Sequence, residues 1–544
     1  MKTQLLIILL FISAMATGQN LNAELDALLT KTYKSGEPGA TALVAKAGKP
    51  IFRQAYGMAN LEHNVVMSPE HVFEIGSITK QFTAVGILML LEQGKLALED
   101  PITKFITGYP THGHTITIHH LLTHTSGIKS YTSMERWTKL WRNDMTPLEM
   151  IDLFKNEPMD FAPGEKWEYN NSAYFMLGYI IEKASGIPYP EFLEKNIFIP
   201  LGMKNSYYGS QSAIIKNRAQ GYQKKEGYVN AEYLSLTQPY AAGSIMSNVD
   251  DLLTWQLALQ SGKLVKKETL QKAFTNYKLN NGKPTNYGYG WGLSEINGSA
   301  TLEHSGGIFG YTTNAVYLPK EDVFVVVFSN CDCNPPGDVS TRMAALAIGK
   351  PYPEPIAKIK LEDAYAKSLT GVYDFEDGTT RVITFDNGQF YSQRMGSQKF
   401  KIFPQDKTNF AFENSLSTFQ FITDKTGVKE ILFKNRIDIT KGVKTNKPIP
   451  PPPTEATVGS EILKQYVGTY QITPAFGITI TLEDNHLMAQ ATGQAKLEIF
   501  PETPTRYFYK VVDAQIEFIK SSEGKFDSLI LYQGGQKIEG RRKN

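Results

Sequence analysis

Apolar side chains recur along this chain in two rhythms, and the change of rhythm divides it. Leu21, Leu25, Leu28 and Leu29 fall at helical spacing and predict an opening amphipathic helix. The runs Ala40 to Ala47 and Ile51 to Tyr56 flank a Gly48-Lys49 turn and read as two strands. A long helical pattern starts near Ser77 and runs through Leu88, Leu90 and Leu91 to Gly94. From there to about Leu234 the signals are helical and loop-like, punctuated by proline and glycine. Strand signals return at Tyr287 to Gly292, where aromatic residues alternate with glycine. Ala315 to Leu318 and Val323 to Phe328 read as a buried hairpin around Pro319-Lys320, with a last helix near Met343 to Ile348. Strands at both ends with helices between predict an α/β domain with a helical insertion.

The rhythm then changes to short stretches with period two. Pro351-Tyr-Pro-Glu-Pro355 marks one break and Pro448-Ile-Pro-Pro-Pro-Pro453 a second, stiffer one. The segments around the second break repeat each other. Gly371-Val-Tyr373 returns as Gly468-Thr-Tyr470, Ile402-Phe-Pro404 as Ile499-Phe-Pro501, Phe421-Ile422 as Phe518-Ile519 and Gly427 as Gly524, each 97 residues on. A constant offset over separate matches predicts a tandem duplication. Alternation in Arg381 to Phe385 and Ile478 to Leu482 predicts antiparallel strands with a one-sided core, so each copy is expected to be a small lipocalin-like β-barrel. The predicted layout is a leader over 1–18, a domain over 19–350, barrels over 351–447 and 459–544, and a proline-rich linker over 448–458.

The leader is read from Lys2, the apolar run Leu5 to Ala16 and the small residues Ala14, Ala16 and Gly18. That run is about half of what a membrane span needs, so a cleaved signal peptide and a secreted or periplasmic, soluble mature chain are expected. With 56 basic and 54 acidic residues the net charge is +2, which gives no basic excess for nucleic acid or an anionic membrane. Cys331 and Cys333, one residue apart, are too few for a disulfide framework and read as two thiols at a strand end. Oligomeric state has no signature in the sequence.

Three short motifs carry candidate chemistry. In Ser77-Ile-Thr-Lys80 the serine and lysine share one face at a helix start, where free N–H groups also favour developing negative charge. A serine hydroxyl becomes nucleophilic when an adjacent base takes its proton, and burial lowers a lysine pKa toward that role. Tyr169-Asn170-Asn171 offers a phenol for proton transfer and an amide that can both donate and accept. His304-Ser305-Gly306-Gly307 follows a strand-like stretch, and its glycines allow close backbone approach. His112, His114, His119, His120 and His124 are dense, but no carboxylate falls among them, so no metal is expected.

In this order and at these separations, the three motifs resemble the active site of the serine β-lactamase and penicillin-binding-protein superfamily. Leu121-Leu-Thr-His-Thr-Ser-Gly127 and Ala242-Gly-Ser-Ile-Met-Ser247 are similar to stretches of its class C-like branch. The resemblance covers roughly residues 20 to 350 and implies an antiparallel sheet flanked by helices plus a helical subdomain. It implies Ser77 as acylated nucleophile, Lys80 and Tyr169 as proton carriers, and Asn171 as orienter of a substrate amide. The N–H groups of Ser77 and Gly307 are the implied oxyanion hole; His304 and Gly306 complete the substrate site, with no cofactor. His304 departs from the lysine common at its position, which puts efficient β-lactam hydrolysis in doubt. His-x-Gly there, and two barrels after the catalytic domain, are similar to the D-aminopeptidase branch. The implied substrate is a small peptide, amide or ester, with D-amino acids expected. A carboxylesterase or weak β-lactamase on the same scaffold, and a non-catalytic cell-wall binder, are the competing readings.

Overall fold

The computed structural model describes residues 20–543 except 396, 398, 414, 425–426, 451–453, 474–475, 511, 513 and 534–535. The expected leader and the end of the proline run lie outside the described residues. The chain divides between Tyr352 and Pro353 into two compact units.

The first unit is built on six antiparallel strands: β1 (Ala40–Lys46), β2 (Lys49–Tyr56), β3 (Gly292–Ile296), β4 (Ser299–Ile308), β5 (Tyr311–Leu318) and β6 (Val323–Ser329). Their order is β3-β4-β5-β6-β1-β2, so the two ends of the domain meet where Ala40 stands opposite Ser329 and Val44 opposite Val325. Every residue of β6 is buried. Helices cover both faces there, and the strand is accordingly a continuous apolar run without alternation. On one face Val44, Val325 and Val327 pack against Leu25 and Leu29 of the opening helix and Met343 of the last one, Gly337–Ala347. On the other lie α1 (Thr79–Glu92), α2 (Asn171–Ser185) and α3 (Val249–Ser261). Phe82 of α1 stacks on Trp255 of α3 with ring centres 4.0 Å apart.

Two local expectations are corrected. Tyr287 to Trp291 form a buried loop, and the strand begins only at Gly292. Glycine alternates there because the loop backbone presses on its neighbours: a Cβ on Gly288 would lie 1.9 Å from the Ala273 carbonyl oxygen. Cys331 and Cys333 are not two thiols but form a disulfide across one residue, since the turn after β6 brings their Cα atoms to 5.1 Å.

The second unit holds two closed eight-stranded antiparallel barrels, one from Gly371–Phe375 to Asp438–Lys444, the other from Gly468–Thr473 to Gln536–Arg542. The duplication extends to fine detail. A short helix precedes each barrel, Asp363–Leu369 and Ser460–Tyr466. Tyr373 donates its hydroxyl to the Leu369 carbonyl at 2.7 Å, and Tyr470 does the same to Tyr466 at 3.0 Å.

The Phe82–Trp255 stack ties α1 to α3 in the core. Phe82→Ala is expected to cost about 3–5 kcal/mol, measured as a lower urea midpoint for the first unit. A loss below about 1 kcal/mol would show that the stack is not a core contact of that kind.

Candidate active site

The chain enters the site through Phe73–Glu74, a short strand, and turns sharply at Gly76, whose φ is +52°. A Cβ on Gly76 would lie 2.9 Å from the Gly307 nitrogen, so the turn and the end of β4 touch through backbone alone. Gly76–Ile78 is a single 3-10 turn and α1 follows directly. That places Ser77 in the lining of a cleft and Lys80, one turn later, fully out of solvent.

Lys80 Nζ makes three hydrogen bonds. It donates to Ser77 Oγ at 3.0 Å, to Asn171 Oδ1 at 2.9 Å and to the Ala242 carbonyl at 2.8 Å. No carboxylate takes part, so burial is uncompensated by a counter-charge and drives the lysine pKa well below its ordinary value. Asn171 opens α2, and Asn170 caps that helix by accepting from the Ala173 N–H at 2.9 Å. The Asn171 amide also donates to Thr132 Oγ1 at 3.2 Å, so both of its ends have protein partners.

Tyr169 completes the group. Lys80 Nζ lies 4.7 Å from the centre of its ring. Its hydroxyl is buried and makes no well-formed hydrogen bond, although Ser77 is close enough to favour the phenolate. Burial outweighs that and raises the phenol pKa above its usual value. Serine, amine and phenol therefore meet in one place, with the phenol protonated at rest.

His304 sits behind the cleft lining. It is 7 % exposed, with Nε2 2.9 Å from the Tyr287 hydroxyl and Nδ1 2.6 Å from the Ser305 carbonyl. The carbonyl can only accept, so Nδ1 carries the proton and Tyr287 donates to Nε2. Burial first, and then the Lys80 charge, push its pKa down to about 3. The imidazole is neutral at physiological pH. Gly306 faces inward, where a Cβ would lie 2.0 Å from the Ile75 carbonyl oxygen. Gly307 faces the cleft, with open space at its Cβ position.

The cleft has a volume of about 340 Å³. Ser77, Asn171 and Gly307 line it together with the aromatic side chains of Tyr131, Trp137 and Phe309. Asp332 is its one charged lining residue among those described. The larger 820 Å³ hollow around Pro190, Glu194 and Tyr207 includes none of the three motifs.

The histidine cluster disperses into separate roles. His119 Nδ1 meets the Tyr289 hydroxyl at 2.8 Å, and His120 is part of a capping box with Thr117. His124 is the residue the sequence motifs left unassigned. Fully buried, it accepts the Asn170 N–H at Nδ1, 3.0 Å away, and its ring lies 4.5 Å from that of Tyr169. Its place one residue before Thr125-Ser-Gly127 was visible; its neighbours were not, because they come from a segment 46 residues away.

A family described as Beta-lactamase matches residues 21–350, and a domain of unknown function, DUF3471, matches 452–542. Penicillin-binding protein 4* of Bacillus subtilis (strain 168) is 29 % identical over 417 residues, 72 % of this chain and 92 % of its own length. Among solved structures, the octameric penicillin-binding protein homologue from Pyrococcus abyssi is 28 % identical with a TM-score of 0.54, covering 78 % of this chain and 99 % of its own. The D-amino acid amidase from Ochrobactrum anthropi SV3, complexed with L-phenylalanine amide, is 25 % identical with a TM-score of 0.54, covering 61 % and 99 %.

The two neighbouring glycines differ in what a methyl would meet. Gly306→Ala is expected to cost at least about 1–3 kcal/mol through the clash with Ile75, while Gly307→Ala leaves the melting temperature of the first unit unchanged. Equal melting temperatures for the two variants would contradict the placement.

Proposed function

From the premise that this chain belongs to the beta-lactamase family and is a serine hydrolase acting on amides, we propose that Ser77 is its nucleophile. Lys80 and Tyr169 carry the protons, and the substrate is a peptide or amide with a D-configured residue. The observation that carries the reading is the 3.0 Å hydrogen bond between a buried, carboxylate-free lysine and the Ser77 hydroxyl in the lining of a cleft.

In the free-amine form Lys80 takes the Ser77 proton as Oγ attacks the substrate carbonyl. Charge moves to the carbonyl oxygen, which the N–H groups of Ser77 and Gly307 stabilise at the helix start and the end of β4. Tyr169, beside both Ser77 and Lys80, hands a proton to the leaving nitrogen as the tetrahedral adduct collapses to the acyl-serine. Water then attacks the ester as Tyr169 takes back a proton from it, the acyl–Oγ bond breaks, and Lys80 returns its proton to Ser77 Oγ, releasing the acid and restoring the resting site. Asn171, held by Lys80 and Thr132, presents its amide to the substrate from a fixed position.

The choice of amide over β-lactam rests on charge. Neutral His304 supplies no cation for a substrate carboxylate, and the cleft lining has Asp332 but no lysine or arginine among the described residues. Similarity to a D-amino acid amidase supports the D-configuration. The leader-like start, the Cys331–Cys333 disulfide and the likeness to a penicillin-binding protein support export to an oxidising compartment.

Ser77→Ala is expected to lower amide turnover by at least about 1,000-fold with an unchanged melting curve. D-alanine anilide should be cleaved faster than its L-form, a phenyl ester or a chromogenic cephalosporin. Retained turnover in the variant, or preference for the cephalosporin, would overturn the reading. Because His304 is already neutral above a pKa of about 3, kcat/KM should show no inflection from it between about pH 5 and 8. An inflection near about 6.5 that disappears in His304→Gln would contradict its buried, neutral state.

A further inference from the structure

The two barrels share one register, so their positions can be compared one for one. In the first, Arg381 stands directly opposite Arg394 on the neighbouring strands Thr380–Asp386 and Gln389–Arg394. Cross-strand partners project to the same face of a sheet. Here that face is the barrel interior: the next pair on it, Ile383 opposite Ser392, is 0 % and 1 % exposed. The Arg381 guanidinium lies 4.0 Å from the centre of the Phe433 ring, with Phe375 and Phe419 at 5.5 and 5.8 Å.

Like charges placed directly opposite each other destabilise a sheet, more so when half-buried. Burial, and then Arg394, lower the Arg381 pKa to about 10. Neither guanidinium has a hydrogen-bond or ion-pair partner among the described residues. Asp377 is the nearby carboxylate that feels both, but its oxygen accepts from the Thr379 N–H and hydroxyl. One carboxylate thus faces two cations without bonding either. Arg381 Nε and the Ser392 hydroxyl are both buried with no partner.

The second barrel shows that the fold does not require this. Where the first has Arg381 opposite Arg394, the second has Ile478 opposite Ala491. Where the first has Ile383 opposite Ser392, the second has Ile480 opposite Ala489. The aromatic nest is replaced as well: Ile516 and Leu531 hold the places of Phe419 and Phe433, and Ile472 packs against Gly540 as Phe375 does against Gly442. One copy has a dry aliphatic interior at this end. The other has two unpaired cations and an unpaired hydroxyl over phenyl rings.

We propose that the first barrel binds an organic carboxylate at Arg381, Arg394 and Ser392. Two guanidiniums offer paired N–H donors that match the two oxygens of a carboxylate, and Ser392 supplies a further donor. The phenyl rings suit the apolar body of such a ligand better than a strongly hydrated inorganic anion. The site is independent of the Ser77 chemistry and stands or falls separately from it.

The second barrel provides the test variant, Arg381→Ile with Ser392→Ala and Arg394→Ala, a set of residues this barrel type already carries. Intact protein is titrated calorimetrically with hexanoate, an aliphatic carboxylate, with N-acetyl-D-alanine, a peptide-derived one, and with inorganic phosphate. The expected result is saturable binding of at least one carboxylate, weakened about tenfold or more in the triple variant, whose melting temperature without ligand is equal or higher. Arg394→Gln alone, a smaller change, should weaken binding in the same direction should the triple variant fail to fold. Absence of carboxylate binding, binding that survives these substitutions, or binding of phosphate alone would overturn the proposal.

Discussion

A primary amine buried without a carboxylate is the constraint on which the catalytic unit depends. Lys80 is fully out of solvent, and its three hydrogen bonds go to a hydroxyl, an amide oxygen and a backbone carbonyl. As a free amine Lys80 can donate to the Asn171 and Ala242 oxygens and accept from the Ser77 hydroxyl, so these neutral partners orient it in either protonation state. An ion pair in the same place would favour the charged form. The surroundings keep to this rule. His124 and His304 both have pKa values pushed down by burial and by Lys80 itself, so neither adds a second positive charge at neutral pH. Tyr169 is raised by the same dryness and stays a proton donor at rest.

Holding such a group requires a rigid frame. Three segments distant in sequence surround Lys80, and each is fixed by packing or capping. The Ser77 turn rests on the end of β4 through Gly76 and Gly307. Asn171 is fixed by the cap of α2, and Ala242 belongs to a buried 3-10 turn. Phe82 and Trp255 clamp the other side of α1. In the second unit the tandem copies pair their strands alike while one end of their interiors differs, with Ile478 and Ala491 in one copy where the other has Arg381 and Arg394. A duplicated scaffold can diverge in this way because register is set by backbone pairing, which leaves the inward side chains free to vary.

Much of this was legible in the sequence because it is local or periodic. The Ser77–Lys80 spacing, the run of β6 and the 97-residue repeat each need only neighbouring residues or self-comparison. What escaped depends on folding. The alternation at Tyr287 to Trp291 imitates a strand, yet its glycines answer to the Ala273 carbonyl and the backbone of Lys80. The cysteines looked like isolated thiols because the turn that joins them is formed by the strand before it. His124 looked like one of several histidines until the segment carrying Tyr169 and Asn170 closed over it. His304 lies between the Tyr287 hydroxyl and the Ser305 carbonyl, and its Tyr287 partner comes from a loop that no local pattern connects to it.

The central claim is that Ser77 reacts because an adjacent amine loses its proton far below the ordinary lysine range. The most direct measurement is the pH dependence of covalent labelling by a serine-reactive phosphonate, with the adduct located by peptide mass spectrometry. The account predicts a single adduct on the Ser77 peptide, formed at a rate that is half-maximal well below the ordinary lysine value of 10.5. Labelling at another residue, or a Ser77 rate that rises only near 10.5, would contradict it.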